Sequence, residues 1–204
     1  MNLEFQEIAK TLLAFFIVLS VQMGLAHFLV RREQVFSFWG SRYDALLAGG
    51  ELVLLILALF RQNAGGEAAT WYFCLWAYLF GLGIYDLKCR ELPDYCHLLP
   101  LFGYGAAWLF GCQPVAGSSS LLAVVVAAAA FGLVYVIRKD AIGIGDIKVI
   151  LVCAIYLGAD GAGVLVRGMA AAFVCSMILL LGRKVTAKSE LPFVPFLLFG
   201  ALFV

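Results

Sequence analysis

The stretch Leu121–Lys148, LLAVVVAAAAFGLVYVIRKDAIGIGDIK, runs without a charge to Ile137, turns basic at Arg138-Lys139, and closes on Gly143-Ile144-Gly145-Asp146 before Lys148. Such an apolar run approaches the length of a bilayer-crossing helix, about 20 residues. The aspartate that follows is the anomaly, because a carboxylate beside a bilayer is expensive to keep. The same juxtaposition stands earlier, where an apolar run over 71–87 ends on Tyr85-Asp86 and continues to Leu92-Pro93-Asp94. Two costly carboxylates in matching places, Asp86 and Asp146, point to a catalytic pair.

Working outward, the rest of the chain has the same character. Its 204 residues are 64% hydrophobic and 13% charged, with a mean hydropathy of +1.01. An average soluble domain carries roughly 25% charged residues. The composition therefore predicts an all-α, polytopic integral membrane protein, with one membrane-embedded domain over 1–204. Apolar segments at 11–30, 45–60, 71–87, 97–112, 121–137, 147–163, 165–182 and 190–204 predict about eight transmembrane helices. The last is short and carries Pro192 and Pro195, which suits a half-helix or re-entrant segment packed against protein. Within the domain, residues 1–60 form N-terminal helices around a short loop at 31–44, and 71–204 form the core that carries the aspartates.

Basic residues set the orientation. With the N-terminus outside, inward loops hold Arg31, Arg32, Arg42, Lys88, Arg90, Arg138, Lys139, Lys148, Arg183, Lys184 and Lys188, and the outward side keeps Lys10, Arg61 and Arg167. Eleven against three is a strong positive-inside bias, and it places both aspartates at the cytoplasmic face. The first apolar run follows Glu4, Glu7 and Lys10 instead of a basic region, so it reads as a retained helix and not a cleaved signal. A net charge of +1, spread as anchors, does not suit a nucleic-acid partner. The six cysteines form no C-x-x-C pair; with His27 and His97 unpaired, neither a disulfide framework nor a metal site is expected.

Two carboxylates within hydrogen-bonding distance do not both ionise easily and share a proton. One stays able to deprotonate water while the other protonates a departing group. Aspartyl hydrolysis of an amide needs that arrangement and no cofactor. Burial at the membrane face pushes both carboxyls upward, toward work near neutral pH, with a titration that belongs to the pair. Gly143 and Gly145 let the backbone come close to a substrate strand or a neighbouring helix. Plainer readings stand beside these. A lone membrane aspartate serves an ion path or ends a helix equally well, and glycines serve helix packing. Asp94 reads as the N-cap of a helix starting near Tyr95, and Lys148 as a cytoplasmic anchor.

The segment from Asp86 to Pro93-Asp94, followed by Gly143-Ile144-Gly145-Asp146-Ile147-Lys148, resembles the two aspartate signatures of the type IV prepilin peptidases, members of the GxGD aspartyl membrane proteases. Leu191-Pro192-Phe193-Val194-Pro195-Phe196, with Gly200, is similar to the proline-phenylalanine segment of their last helix. The resemblance covers 71–204. It implies an aspartic endopeptidase that removes the basic leader of prepilins or pseudopilins at the cytoplasmic face of the inner membrane. Asp86 and Asp146 would be the dyad, supported by Tyr85, Pro93, Asp94, Gly143, Gly145, Lys148, Pro192, Phe193 and Pro195. Full-length members carry a cysteine-pair metal site and an N-methylating activity in a cytoplasmic insert. Here Arg31 to Asp44 fill that place, too few residues to fold a domain, so the expectation is a short form without methyltransferase. The pattern is also similar to presenilin and signal-peptide-peptidase proteins, which cut within the bilayer. A cation or proton transporter with paired aspartates is the rival of another class; it would carry them at mid-helix, whereas both lie at helix ends.

Overall fold

A computed structural model describes residues 9, 12–13, 16–17, 40–63, 69–89, 92, 94–109, 117–139, 142–183 and 191–204. The expected first span, most of the loop at 31–44, and Pro93 lie outside them. The described residues form helices α1 (Gly40–Asn63), α2 (Ala69–Cys89), α3 (Leu98–Leu109), α4 (Gly117–Ile137), α5 (Ile144–Leu157), α6 (Asp160–Leu181) and α7 (Val194–Ala201), with a 3₁₀ turn at Asp94–His97 before α3. No strand occurs among them. In lipid a helix satisfies its backbone polar groups within its own segment, which suits the apolar sequences found here.

Two of these helices, Ser118–Ile137 within α4 and all of α6, are long and apolar enough to cross a bilayer. Both leave large side chains uncovered, among them Leu121, Leu122, Val125 and Val126 on α4 and Phe173, Ile178 and Leu181 on α6. A soluble monomer rarely shows apolar surface on that scale. The segments expected at 147–163 and 190–204 appear instead as helices of 14 and 8 residues. At 1.5 Å per residue these reach only about 12–21 Å.

The chain divides into two compact units, Met1–Ala77 and Tyr78–Val204. In the first, α1 buries one stripe, Leu47, Glu51, Leu54, Leu55 and Ala58, and exposes Leu52, Val53, Ile56 and Phe60. That spacing is the period of an amphipathic helix. Glu51 is fully buried in the stripe, and neither carboxylate oxygen has a hydrogen-bond partner among the described residues.

In the second unit α5 is the hub. It packs against α4, α6, α3 and the 3₁₀ turn, burying Val149, Ile150, Val152, Cys153, Tyr156 and Leu157. The Tyr156 hydroxyl donates to the Pro100 carbonyl of α3 at 2.8 Å, and Tyr78 shares a 2.8 Å hydrogen bond with His97. The break between α5 and α6 falls at 158–159, earlier than the expected 163–165. Gly158 takes φ 57° there, a left-handed conformation that glycine adopts without steric cost, and its N–H closes on Ala154 O at 2.9 Å. Arg167, expected among the outward loops, therefore lies two turns inside α6.

Candidate active site

The site forms where three helix ends of the second unit meet. At α5, Gly143 is the N-cap, with φ −71° and ψ 143°, and Asp146 is the third helical residue. An acidic side chain at that position reaches back to the N-cap N–H and satisfies a donor that has no partner within the helix. Asp146 does so: its carboxylate takes a hydrogen bond from the Gly143 backbone, and a Cβ on Gly143 would lie 3.2 Å from its Oδ2. The glycine leaves the carboxylate room to fold back over the helix end. Gly145 serves a different contact, since a Cβ there would lie 3.0 Å from the Leu92 Cβ. The motif's second glycine thus lets the segment after Asp86 lie against α5.

Asp86 lies in the last turn of α2 and is buried, as is Tyr85 beside it. Its Oδ2 accepts the Val194 N–H at 3.0 Å. Val194 is the first residue of α7, whose N-cap is Phe193 and whose second residue is Pro195. Pro195 faces Gly83, one turn before Asp86 on α2: a Cβ on Gly83 would lie 3.6 Å from it. The C-terminal proline segment thus meets the first aspartate, with Pro192 in the chain leading to it.

The charge of Asp86 bears on Asp146. Burial first, and then the charge of Asp86, push the Asp146 carboxyl up from its ordinary 3.8 to about 6, against the opposing hydrogen bond from Gly143. Asp146 stands just ahead of the apolar stretch of α5. A carboxyl pushed upward by burial and by a second carboxylate is the environment that divides acid from base in a dyad.

Asp94 and Lys148 have a separate place. Asp94 opens the 3₁₀ turn, largely exposed, and pairs with Lys148 Nζ at 2.5 Å. The hydrogen bond first, and then the ammonium charge, hold the Asp94 carboxyl below its ordinary range. Asp94 thus stands at the start of a helical turn, close to the expected helix start at Tyr95, and its ion pair with Lys148 links that turn to α5. The Val194 N–H is a backbone donor and carries no residue type in the sequence; the flanking Pro192 and Pro195 are the one mark of a helix start there.

Among the described residues the secondary structure is all helical, and two apolar helices long enough to cross a bilayer point to a membrane protein. A model of the type IV leader peptidase family matches residues 71–203. The chain belongs to that family and is a type IV leader peptidase-like protease. Neither a curated protein nor a solved structure matches it.

Proposed function

We propose that the protein is an aspartic endopeptidase that removes the basic leader from type IV prepilins or prepilin-like proteins, with Asp86 and Asp146 as its dyad. The observation that carries this reading is the match to the type IV leader peptidase family over residues 71–203, a span that holds both aspartates, and the upward push of the Asp86 charge on the Asp146 carboxyl supports it. One carboxylate takes a proton from water as the water oxygen attacks the scissile carbonyl carbon. The other gives its proton to the departing amide nitrogen as the C–N bond breaks, and the pair ends with its single proton exchanged. Tyr85, Gly143, Gly145, Pro192, Phe193 and Pro195 shape the helix ends that hold the two groups, and Asp94 with Lys148 ties the 3₁₀ turn beside them to α5. Pro93, between Leu92 and Asp94, belongs to the same connection.

The reading extends to topology. About eight membrane segments, with those at 147–163 and 190–204 helical over only part of the bilayer's depth and the N-terminus outside, put the dyad at the cytoplasmic face of the inner membrane, where the leader of a prepilin lies while its apolar helix stays in the bilayer. The short segment at 31–44 leaves the protein a peptidase without methyltransferase, so a processed pilin carries an unmodified amino terminus in a host with no other methylase. The test is cleavage of a co-expressed prepilin by the wild type, Asp86→Asn and Asp146→Asn. Each variant is expected to lose 10²–10⁴-fold in rate, the usual span for a positioned acid or base. Cleavage unchanged in either variant would remove the dyad assignment, and Asp146-dependent ion flux without proteolysis would move the site to the transporter class. A reporter fused after Arg138 is expected to be active inside the cell; activity confined to the outside would reverse the topology.

A further inference from the structure

Helix α7 is eight residues long, too short to hold its shape unaided, and side chains from elsewhere take up both of its ends. At its start Pro195 has no N–H, and the N–H groups of Phe196 and Leu197 turn back to the Phe193 carbonyl at 3.1 and 3.3 Å. The Val194 N–H goes to Asp86. At its finish the Leu198 and Ala201 carbonyls accept from Leu202 and Val204, and the Gly200 carbonyl accepts Arg167 Nε at 3.1 Å. A carboxylate at the positive end of a helix and a guanidinium at its negative end are both favourable.

Arg167 lies within the apolar helix α6, where a charge is costly to keep without a role. Its guanidinium folds back along its own helix, in the direction helical side chains lean, over Gly163. A Cβ at Gly163 would lie 3.2 Å from Arg167 Nη1, so the glycine makes the guanidinium's space. The register between α6 and α7 is fixed by backbone contact: a Cβ on Gly168 would lie 2.9 Å from the Phe196 carbonyl oxygen, and one on Gly200 would overlap the Val164 carbonyl. Helix α7 is therefore a strut with Asp86 at one end and Arg167 at the other.

We infer that Arg167 is a positioning residue for the peptidase reaction: by holding the C-terminal end of α7 it keeps the Val194 N–H on Asp86 and fixes that carboxylate in the dyad. The inference rests on reading Asp86 and Asp146 as the dyad. The ionisable groups on the elements that meet there include Tyr85, Asp86 and Lys88 on α2, Asp146 and Lys148 on α5, and Asp94 and His97 on the 3₁₀ turn, with Lys148 and Asp94 paired to one another and both close enough to act on His97.

The test uses the full-length protein in lipid vesicles and a peptide carrying a basic leader and an apolar helix, with rates expressed per folded molecule. Arg167→Met is expected to lower kcat about 30-fold with KM within about twofold, the pattern of a group that acts on the reaction and not on binding. It should also move the acid limb of the kcat profile upward, because a carboxylate that loses an N–H donor holds its proton more tightly. Arg167→Lys, which keeps a cation near the Gly200 carbonyl, should fall between. Arg167→Met with wild-type kcat, or with fewer active molecules and an unmoved acid limb, overturns the inference. If Arg167→Met does not accumulate, Arg167→Lys decides: a lowered kcat with a raised limb supports the strut, and wild-type values for both overturn it. Asp86→Asn and Asp146→Asn measured alongside separate the two levels. If they cleave normally the dyad reading fails, and if they are inactive while both Arg167 variants behave as wild type, only the positioning role fails.

Discussion

Asp146 is held by the first turn of its own helix, from a backbone N–H three residues away; Asp86 is held by a helix that begins 108 residues further along the chain. Both carboxylates use the same chemistry, a donor that a helix N-terminus leaves without a partner in its own backbone. The difference lies in what each depends on. The Asp146 hydrogen bond is complete within the four residues 143–146, whereas Asp86 needs α2, the α6–α7 seam and the C-terminal prolines to be in place together. Glu51 supplies a contrast, a carboxyl buried as deeply as Asp86 but with no hydrogen-bond partner among the described residues.

The sharpest structural break at the Asp146 end of the site is Gly145→Ala. Its Cβ would press on the Cβ of Leu92, an atom that rotamer changes cannot move. Overpacking of this kind costs about 1–3 kcal/mol, and thermal or denaturant unfolding of the purified protein is expected to show a loss in that range. Leu92→Ala would leave the same Cβ in place but free the rest of the side chain, so the double variant should recover part of the loss. Additive losses would mean that the two residues do not meet.

Asp146→Asn tests the electrostatics through stability. The carboxyl ionises near 3.8 in the unfolded chain and near 6 in the folded one, so between these values the unfolded state gives up its proton first and stability falls as pH rises. Above about 6 the penalty is fully present, and below about 3.8 it is gone. Asp146→Asn is therefore expected to be more stable than the wild type at pH 8, with an advantage that shrinks toward pH 4. An advantage independent of pH would detach it from the Asp146 charge. The smallest effect is reserved for Lys148→Ala. Its pair with the exposed Asp94 is the kind of surface contact that contributes little, and cleavage should change by less than about threefold.

The local half of the site was legible from the residues alone, because Gly143 and Asp146 are neighbours in sequence and their contact follows from helix-end geometry, whereas Gly145 meets Leu92 from elsewhere in the chain. The long-range half was not. Pro192, Phe193 and Pro195 entered through a family resemblance, and the donor they present to Asp86 is main chain. For the fold, apolar runs located α1, α2 and α4 well, since 45–60, 71–87 and 121–137 each fall within an observed helix. The α5–α6 boundary went astray because Gly158, Gly161 and Gly163 look alike in sequence, and the one at 158 takes the left-handed turn. Moving that boundary also carried Arg167 from an expected outer loop into α6, where it meets α7.

The central claim is that Asp86 and Asp146 act as one unit although the chain holds them by such different means. Single-turnover cleavage of a prepilin leader by Asp86→Asn, Asp146→Asn and the double variant tests it most directly. Groups that act together lose nearly everything when either is removed, so the double variant is expected to be no slower than the worse single one. Losses that multiply, or a single variant that cleaves at the wild-type rate, would contradict the dyad.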